Sequence, residues 1–222
     1  MSYKQNLQDL SVKPEGYHTQ YRPEMMKYIP EGAKKILDVG CGEALFSYQL
    51  KQKLNAEVWG IEIETDAGAV AQTRIDKVLI GDLSGIIEDL PDSYFDCIVF
   101  NDVLEHLVDP FNILLNIKKK LNSQGLIVSS IPNVRYFYNL RDLLIKKQWR
   151  YEDAGILDKT HLRFFTFRSI VEMYKSLGYD VILIEGINPI TLWKFNLLNF
   201  LSFGYLSDTR FSQFACVVKP TI

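Results

Sequence analysis

The stretch that decides the fold reads Ile36-Leu37-Asp38-Val39-Gly40-Cys41-Gly42-Glu43-Ala44. Its apolar run predicts a buried strand, which leads directly into a glycine turn and then a helix. Glycine lets the backbone approach a ligand closely, and the first N–H groups of the following helix have no partner within that helix. The stretch therefore predicts a ligand site at the carboxyl end of the first strand of an α/β sheet.

Further strand-like runs follow the first, with helical patterns between them. This alternation predicts an α/β, Rossmann-like, doubly wound sheet with helices on both faces. A helix over residues 111–121 is predicted to follow Asp109 as N-cap and Pro110 as first helical residue, and Gly125 is expected to close the turn before the fifth strand. Another helix is predicted over residues 167–177. The predicted strands cover residues 35–39, 57–63, 78–80, 95–100, 125–130, 181–184 and 214–219.

Length and composition limit the classes of protein to consider. The 222 residues predict a single domain, with residues 1–32 as a leading lid or cap segment. The formal net charge of −2 gives no basic excess, so nucleic acid is not an expected partner. Three scattered cysteines without clustered histidines predict a reduced, cytoplasmic protein with no metal ligands. We expect no membrane-spanning segment, because no apolar run reaches about 18 residues.

Two further acidic residues lie at the predicted ends of the next strands. Glu62 is placed to accept both hydroxyls of a ribose, and Asp82 can accept the exocyclic amine of an adenine. Asp38 suits a cofactor with a cationic amino-acid end. The spacing of Glu62 also fits a dinucleotide site. Leu45 at the third glycine position, and the negative charge of Asp38 near a pyrophosphate, disfavour that alternative.

Residues 36–43 resemble the first motif of class I S-adenosylmethionine-dependent methyltransferases, and Glu62 and Asp82 match the ribose and adenine acids of that family. The resemblance implies a seven-stranded sheet, mostly parallel with an antiparallel last strand. It also implies S-adenosylmethionine as cofactor and S-adenosylhomocysteine as product. The cofactor-binding residues that we predict are Asp38, Gly40, Cys41, Gly42, Glu62, Ile63, Asp82, Leu83, Asn101 and Arg22. For Arg22, in the leading segment, a solvated helix charge is the alternative.

Residues 95–107 and 130–133 are similar to motifs of the small-molecule branch of this family. Residues 158–166 resemble a segment of methyltransferases that are encoded with polysaccharide and glycolipid biosynthesis genes. The resemblance implies a small-molecule acceptor, with the methyl group transferred to a hydroxyl of a sugar or a sugar-bearing intermediate. The alternatives are N- or C-methylation of another small molecule, such as a quinone precursor, and a non-catalytic cofactor-binding scaffold.

Two histidines are the predicted catalytic residues. Methyl transfer is an in-line displacement that mainly needs positioning, and a base is required only for a poorly acidic hydroxyl. His106 follows the fourth strand, and His161 lies near Asp158 and Arg163, which together suit a hydroxylated or anionic acceptor. The alternatives are a helix-capping role or a hydrogen bond to the Glu105 backbone for His106, and a loop-ordering role for His161.

Two aromatic stretches do not fit plain alternation of strands and helices. Residues 133–151 are predicted to form a helix that bounds the acceptor pocket, together with the loop after the fourth strand and the segment around His161. Residues 189–206 are predicted to be a mostly helical insertion that covers the acceptor side or mediates contact in a homodimer. Packing onto the chain's own core is the alternative for both. Only Lys194 and Arg210 supply positive charge near the second stretch, which disfavours a membrane surface.

Overall fold

The glycine turn follows an inner strand of a seven-stranded sheet in the computed structural model, which describes residues 19–221 apart from the side chain of Lys194. The strands are β1 (Lys35–Val39), β2 (Glu57–Glu62), β3 (Lys77–Ile80), β4 (Phe95–Asn101), β5 (Leu121–Pro132), β6 (Tyr179–Pro189) and β7 (Phe211–Pro220). Their spatial order is β3-β2-β1-β4-β5-β7-β6.

Strand direction confirms the predicted fold class. Strands β1 to β5 pair in parallel, whereas β7 runs antiparallel to both β5 and β6. Because β7 is reversed, its first residues lie at the same edge of the sheet as the last residues of β5. The register places Gln213 opposite Pro132. The amino end of β7 therefore contributes to the edge at which ligands are expected.

The core lies on both faces of the sheet. Successive side chains of a strand point to opposite faces, so Ile36 packs into one buried cluster and Leu37 into the other. Neither side chain is exposed. Burial on both faces explains why the parallel strands read as nearly continuous apolar runs.

The helices are α1 (Leu45–Leu54), α2 (Thr65–Ala71), α3 (Leu83–Ile86), α4 (Pro110–Ile117), α5 (Phe137–Leu144), α6 (Phe167–Ser176) and α7 (Trp193–Leu201). The predicted N-cap of α4 is confirmed, since the Asp109 carboxylate accepts a hydrogen bond from the Asn112 amide at 3.0 Å. None of the helices within residues 19–221 has both the length and the apolar character needed to cross a bilayer.

The predicted boundaries of strands β5, β6 and β7 were wrong. Gly125 does not close a turn, because β5 begins at Leu121 and passes through it. A Cβ atom at Gly125 would lie 2.7 Å from the Phe95 carbonyl oxygen, so glycine permits the close approach of β4 and β5 where their register shifts. Strands β6 and β7 also extend beyond their apolar centres, since their polar ends pair with each other along an exposed edge.

The two aromatic stretches form shorter helices than their patterns predict. Helix α5 covers residues 137–144 of the predicted 133–151, and the chain then turns at Lys147, whose φ is 53°. Helix α7 lies within residues 189–206, between β6 and β7. The two helices meet where the Phe137 and Phe195 rings pack edge to face, with centroids 5.6 Å apart. Residues 1–18 of the predicted leading segment lie outside the described residues.

Candidate active site

A cavity of about 580 Å³ opens at the carboxyl edge of the sheet. This volume is within the range of small-molecule sites, about 300–1,000 Å³. The ends of β1, β2, β4 and β5, the start of β7 and the loop before α6 contribute to its walls. The predicted site residues that line it are Arg22, Asp38, Gly40, Cys41, Gly42, Glu62, Ile63, Asn101, His106 and His161.

The turn after β1 requires glycine at Gly40. Its φ is 70°, which residues with a side chain adopt rarely. A Cβ atom at this position would lie 2.6 Å from the Val103 Cγ2 atom, beside the cavity. The Gly40 amide donates to the Ile61 carbonyl at 2.8 Å, so the turn is held against β2. The backbone is thereby exposed to a ligand at the point where β1 ends.

Glu62 joins the glycine turn to the end of β2. Its side chain is 4% exposed, and its two carboxylate oxygens accept hydrogen bonds from the Gly42 amide at 2.7 Å and the Glu64 amide at 2.9 Å. A carboxylate has about four lone-pair sites, so two remain available. The arrangement can therefore accept two further donors, such as vicinal hydroxyls.

Asp38 is buried beneath the turn. The Ser47 hydroxyl donates a hydrogen bond to its carboxylate. Burial, with a smaller contribution from the negative charge of Glu62, raises the pKa of Asp38 to about 7. A cationic group bound in the cavity would favour the ionised carboxylate.

Asp82 and Leu83 do not line the cavity. Asp82 is exposed and accepts a hydrogen bond from the Ser84 hydroxyl, whereas Leu83 is buried in the core. The Gly81 amide donates to the Glu62 carbonyl at 2.8 Å, which keeps the end of β3 beside the end of β2.

Arg22 is not a solvated helix charge, so that alternative is wrong. Its side chain is 11% exposed, and its guanidinium forms ion pairs with Asp102 and with Glu24, the latter at 2.7 Å. It also donates to the Ser130 hydroxyl at 3.0 Å. The described part of the leading segment, from residue 19 onward, is thereby fixed to the ends of β4 and β5.

The hydrogen bonds of His106 define which ring nitrogen carries the proton. Its Nδ1 atom lies 3.1 Å from the Thr160 hydroxyl and 3.3 Å from the Thr160 carbonyl oxygen. The Thr160 hydroxyl donates its single hydrogen to the Asp158 carboxylate at 2.7 Å, so it accepts from His106. Nδ1 is therefore protonated, and the lone pair of the neutral ring is on Nε2.

His161 has the same tautomer. Its Nδ1 atom lies 3.0 Å from the Ile156 carbonyl oxygen, which can only accept. The imidazole therefore orders the loop, as its alternative role predicted, and also lines the cavity. The His106 and His161 rings pack edge to face with centroids 4.6 Å apart.

Sequence reasoning missed Glu105. It is 1% exposed and lines the cavity, and neither carboxylate oxygen has a hydrogen-bond donor within residues 19–221. Its Oε1 atom lies 3.9 Å from His161 Nε2. Burial, followed by the negative charge of Asp102, raises the pKa of Glu105 well above its usual value. The available signal was an acid directly before a histidine in the turn after β4.

Backbone hydrogen bonds explain how these groups meet. The Glu105 carbonyl oxygen accepts from the amides of Leu162 at 2.8 Å and Arg163 at 3.0 Å, so the loop before α6 lies against the turn after β4. Glu105, His106 and His161 then each offer one ligating atom, and these atoms lie within 4.8 Å of one another.

Two predicted contributors to the pocket do not take part. Helix α5 contributes no lining residue among those described, whereas residues 154–156 do line the cavity. Arg163 is exposed and donates to the carbonyl oxygens of Leu162 and Val108, so it does not face the cavity. The loop that carries His161 lines the cavity, whereas α5 packs against α7.

A family model for methyltransferase domains matches residues 15–184. The chain belongs to this family. The protein is accordingly an S-adenosylmethionine-dependent methyltransferase, and S-adenosylmethionine is its cofactor.

The methyltransferase is 27% identical over 158 residues to a protein of Methanocaldococcus jannaschii, covering 70% of this chain and 68% of that one. It is 31% identical over 125 residues to a ubiquinone biosynthesis O-methyltransferase of Actinobacillus pleuropneumoniae, covering 50% of this chain and 53% of the relative. The match thus spans about half the length of that relative. An Archaeoglobus fulgidus S-adenosylmethionine-dependent methyltransferase has the same fold, with a TM-score of 0.66 at 23% identity over 88% of this chain and 91% of that one.

Proposed function

We propose that this methyltransferase transfers the methyl group of S-adenosylmethionine to a hydroxyl of a sugar or a sugar-bearing intermediate. The observation that carries the proposal is that one cavity contains both the glycine turn with Glu62 and the pair His106 and His161. A cofactor at the turn and a hydroxyl at the histidines would therefore share one cavity.

The residues around the turn fit the cofactor. Glu62 retains capacity for two hydroxyl donors, as a ribose offers, and Asp38 provides a buried acid near a cationic amino-acid end. The Asn101 side-chain oxygen is buried with no hydrogen-bond donor among the described residues, so it too suits a bound donor. We assign Gly40 and Gly42 to close backbone approach.

The remaining predicted contacts complete this assignment. Ile63 lines the cavity beside Glu62 and offers an apolar surface to the adenine of the cofactor. Asp82 stays our candidate for the adenine amine, since the end of β3 is hydrogen-bonded to the end of β2, and Leu83 supports it from the core. Cys41 lines the same turn. Arg22 is already paired with Asp102, so we assign it to holding the leading segment over the cofactor.

The bound cofactor supplies an activated methyl group on a sulfonium. The chain must bring the acceptor oxygen in line with it and remove the hydroxyl proton. His106 presents Nε2 as the basic nitrogen, and its Nδ1 proton is directed through Thr160 to Asp158. This connection would stabilise positive charge on the ring, as the acid does in a hydrolase triad. The histidine pair is therefore where we expect the hydroxyl to lose its proton.

A sugar acceptor is supported by the polar lining of the cavity. Asp158, Thr160 and Gln213 line it together with the histidine pair, so the acceptor would lie against a polar surface. The resemblance of residues 158–166 to methyltransferases of polysaccharide and glycolipid biosynthesis supports the same class. The ubiquinone relative favours the second candidate, O-methylation of a quinone precursor.

Incubation with radiolabelled S-adenosylmethionine and separate pools of nucleotide sugars, glycolipid sugars and dihydroxybenzoates tests the proposal. We expect label on a sugar hydroxyl. Label on the dihydroxybenzoates alone would replace the sugar by a quinone precursor, and label on nitrogen or carbon would refute O-methylation. Cofactor binding without any transfer would indicate a scaffold.

The role of Thr160 can be tested with the acceptor found in this way. Thr160→Val removes the hydroxyl between His106 and Asp158 but leaves the histidine. We expect a lower kcat with an unchanged Kd for S-adenosylhomocysteine, because the cofactor contacts are retained. Thr191→Val, at an exposed position before α7, is the matched control. An unchanged kcat for Thr160→Val would remove this residue from the mechanism.

Two coarser assignments accompany the proposal. We infer a homodimer contact through residues 189–206, because Trp193, Phe200 and Phe203 are 68%, 78% and 100% exposed. Light scattering on Phe200→Ser/Phe203→Ser would show a monomer if this is right, whereas an unchanged mass would refute it.

We also place the protein in the cytoplasm, since all three cysteines are free thiols, as in reducing compartments.

A further inference from the structure

Glu105, His106 and His161 form a cluster that the methyl-transfer chemistry alone does not explain. Glu105 is almost completely buried, yet no donor among the described residues reaches its carboxylate. A buried carboxylate without a partner is costly. Asp102 and Asp158 add negative charge around it, and Arg22, which pairs with Asp102, is the cation that offsets it. The cluster therefore favours an additional positive charge.

Both histidines are oriented in the way that metal-binding histidines are. Each donates its Nδ1 proton, His106 to Thr160 and His161 to the Ile156 carbonyl. Such bonds fix the tautomer and the ring orientation and leave Nε2 as the basic atom. Glu105 Oε1 lies 3.9 Å from His161 Nε2. Ligands about 2.0–2.1 Å from a tetrahedral ion are separated by about 3.4 Å, so a small movement brings these two atoms to ligand spacing.

We propose that Glu105, His106 and His161 bind a divalent transition-metal cation through one carboxylate oxygen and two imidazole nitrogens. Two imidazoles and one carboxylate suit Zn²⁺, Co²⁺ and Fe²⁺, and three protein ligands leave positions open toward the cavity. This differs from the sequence-based expectation of no metal ligands, which rested on three scattered cysteines and the absence of clustered histidines.

The proposal rests on the proposed function and specifies how the acceptor hydroxyl is activated. A hydroxyl bound to the cation becomes more acidic, as metal-bound water does. The O–H bond breaks, its electron pair stays on oxygen and the proton passes to the solvent. The oxygen then forms a bond to the methyl carbon, the C–S bond breaks, and its electron pair returns to sulfur. His106 acts in this case as a ligand, and the cation replaces the proton transfer to its ring described under the proposed function.

Metal binding can be measured without an acceptor. The chelator-treated full chain is titrated with Co²⁺, followed by visible absorption and calorimetry, and Zn²⁺ is then added as competitor. We expect one Co²⁺ per chain, displaced by Zn²⁺. Glu105→Gln should weaken Co²⁺ binding by at least about 100-fold, since loss of an outer partner alone costs about 10- to 100-fold. His161→Gln should do the same, whereas His18→Gln, which removes the remaining histidine, should not.

Three outcomes separate this site from the proposed function. No Co²⁺ binding by the wild-type chain, or equal binding by Glu105→Gln and His161→Gln variants that still bind S-adenosylhomocysteine, overturns the metal site. Hydroxyl methylation that persists at full rate after chelation also overturns it but leaves the proposed function intact. Specific Co²⁺ binding with label transferred only to nitrogen or carbon refutes the proposed function and retains the site.

Discussion

Replacement of Glu62 by glutamine tests the centre of the proposed cofactor site. Glu62 accepts amide hydrogen bonds from Gly42 at 2.7 Å and Glu64 at 2.9 Å while retaining lone pairs for two hydroxyls. Glutamine has the same shape, but one oxygen becomes an NH₂ group that only donates. That group would face a backbone N–H and could no longer accept from a ribose hydroxyl.

The loss of cofactor affinity can be estimated from these contacts. A hydrogen bond to a charged group contributes about 1.5–3 kcal/mol, and Glu62→Gln removes at least one such bond to the cofactor. At about 1.4 kcal/mol for each factor of ten, Kd should rise roughly 10- to 150-fold. Loss of the amide contact destabilises the unliganded chain as well, but the neutral side chain also relieves repulsion with Asp38. We therefore expect a smaller effect on unfolding than on binding.

Calorimetry with S-adenosylhomocysteine measures the affinity, and circular dichroism checks that the variant is folded. Glu88→Gln is the matched control, because Glu88 is exposed and lies outside the cavity. Its Kd should equal that of the wild type. A Kd within about twofold of wild type for folded Glu62→Gln would remove Glu62 from the cofactor site and with it the ribose assignment.

Three other substitutions test the site and its support. Burial raises the pKa of the Asp38 carboxyl from 3.8 to about 7. The protonated carboxyl therefore contributes fully to the free energy of unfolding below about pH 4, and this contribution is lost as the pH rises through about 7. The free energy of unfolding of the wild type should fall by a few kcal/mol over this pH range, at about 1.4 kcal/mol per pKa unit. Urea unfolding of Asp38→Asn should not show this fall. Tyr174→Phe leaves the buried Ser129 hydroxyl without its 2.7 Å partner and should cost about 1–2 kcal/mol of unfolding free energy. Gly40→Ala should cost about 1–3 kcal/mol and weaken cofactor binding, because φ is 70° and the new Cβ meets Val103.

Exposed residues of the same types provide the controls for these measurements. Asp66→Asn, Tyr205→Phe and Gly32→Ala change positions that are exposed. Gly32 lies in a turn outside the helices, and a Cβ there meets nothing within 4 Å. Each should unfold like the wild type to within about 0.5 kcal/mol. A pH dependence of Asp38→Asn equal to that of the wild type, or a Tyr174→Phe variant as stable as Tyr205→Phe, would contradict the corresponding argument.

Local pattern was enough to predict the sheet and the turn at its centre. Strand β1 and the turn at Gly40 follow from an apolar run that meets glycines, and the N-cap of α4 follows from Asp109 beside Pro110. These features depend on residues that are neighbours in sequence. Burial of parallel strands on both faces adds a continuous apolar signal, which is why the fold class was predictable.

Boundaries set by pairing were less predictable. The polar ends of β6 and β7 carry no strand signal of their own, and they are extended because they hydrogen-bond to each other. Helix α5 ends well before its aromatic pattern does, since the chain turns at Lys147 and continues into the loop over the cavity. In both cases tertiary contacts, rather than the local propensity of the residues, determine where the element ends.

The sequence by itself determined the α/β sheet, the glycine turn and the acids at the strand ends, because each depends on contacts within a few residues or on burial of a whole strand. The tertiary structure alone decided that Arg22 is buried against Asp102 and that Glu105 and His106 lie beside His161. The last arrangement depends on amides of a distant loop that bond to the Glu105 carbonyl. Contacts between residues so far apart produce no periodic pattern in the sequence. They form only when the sheet brings both segments to one edge.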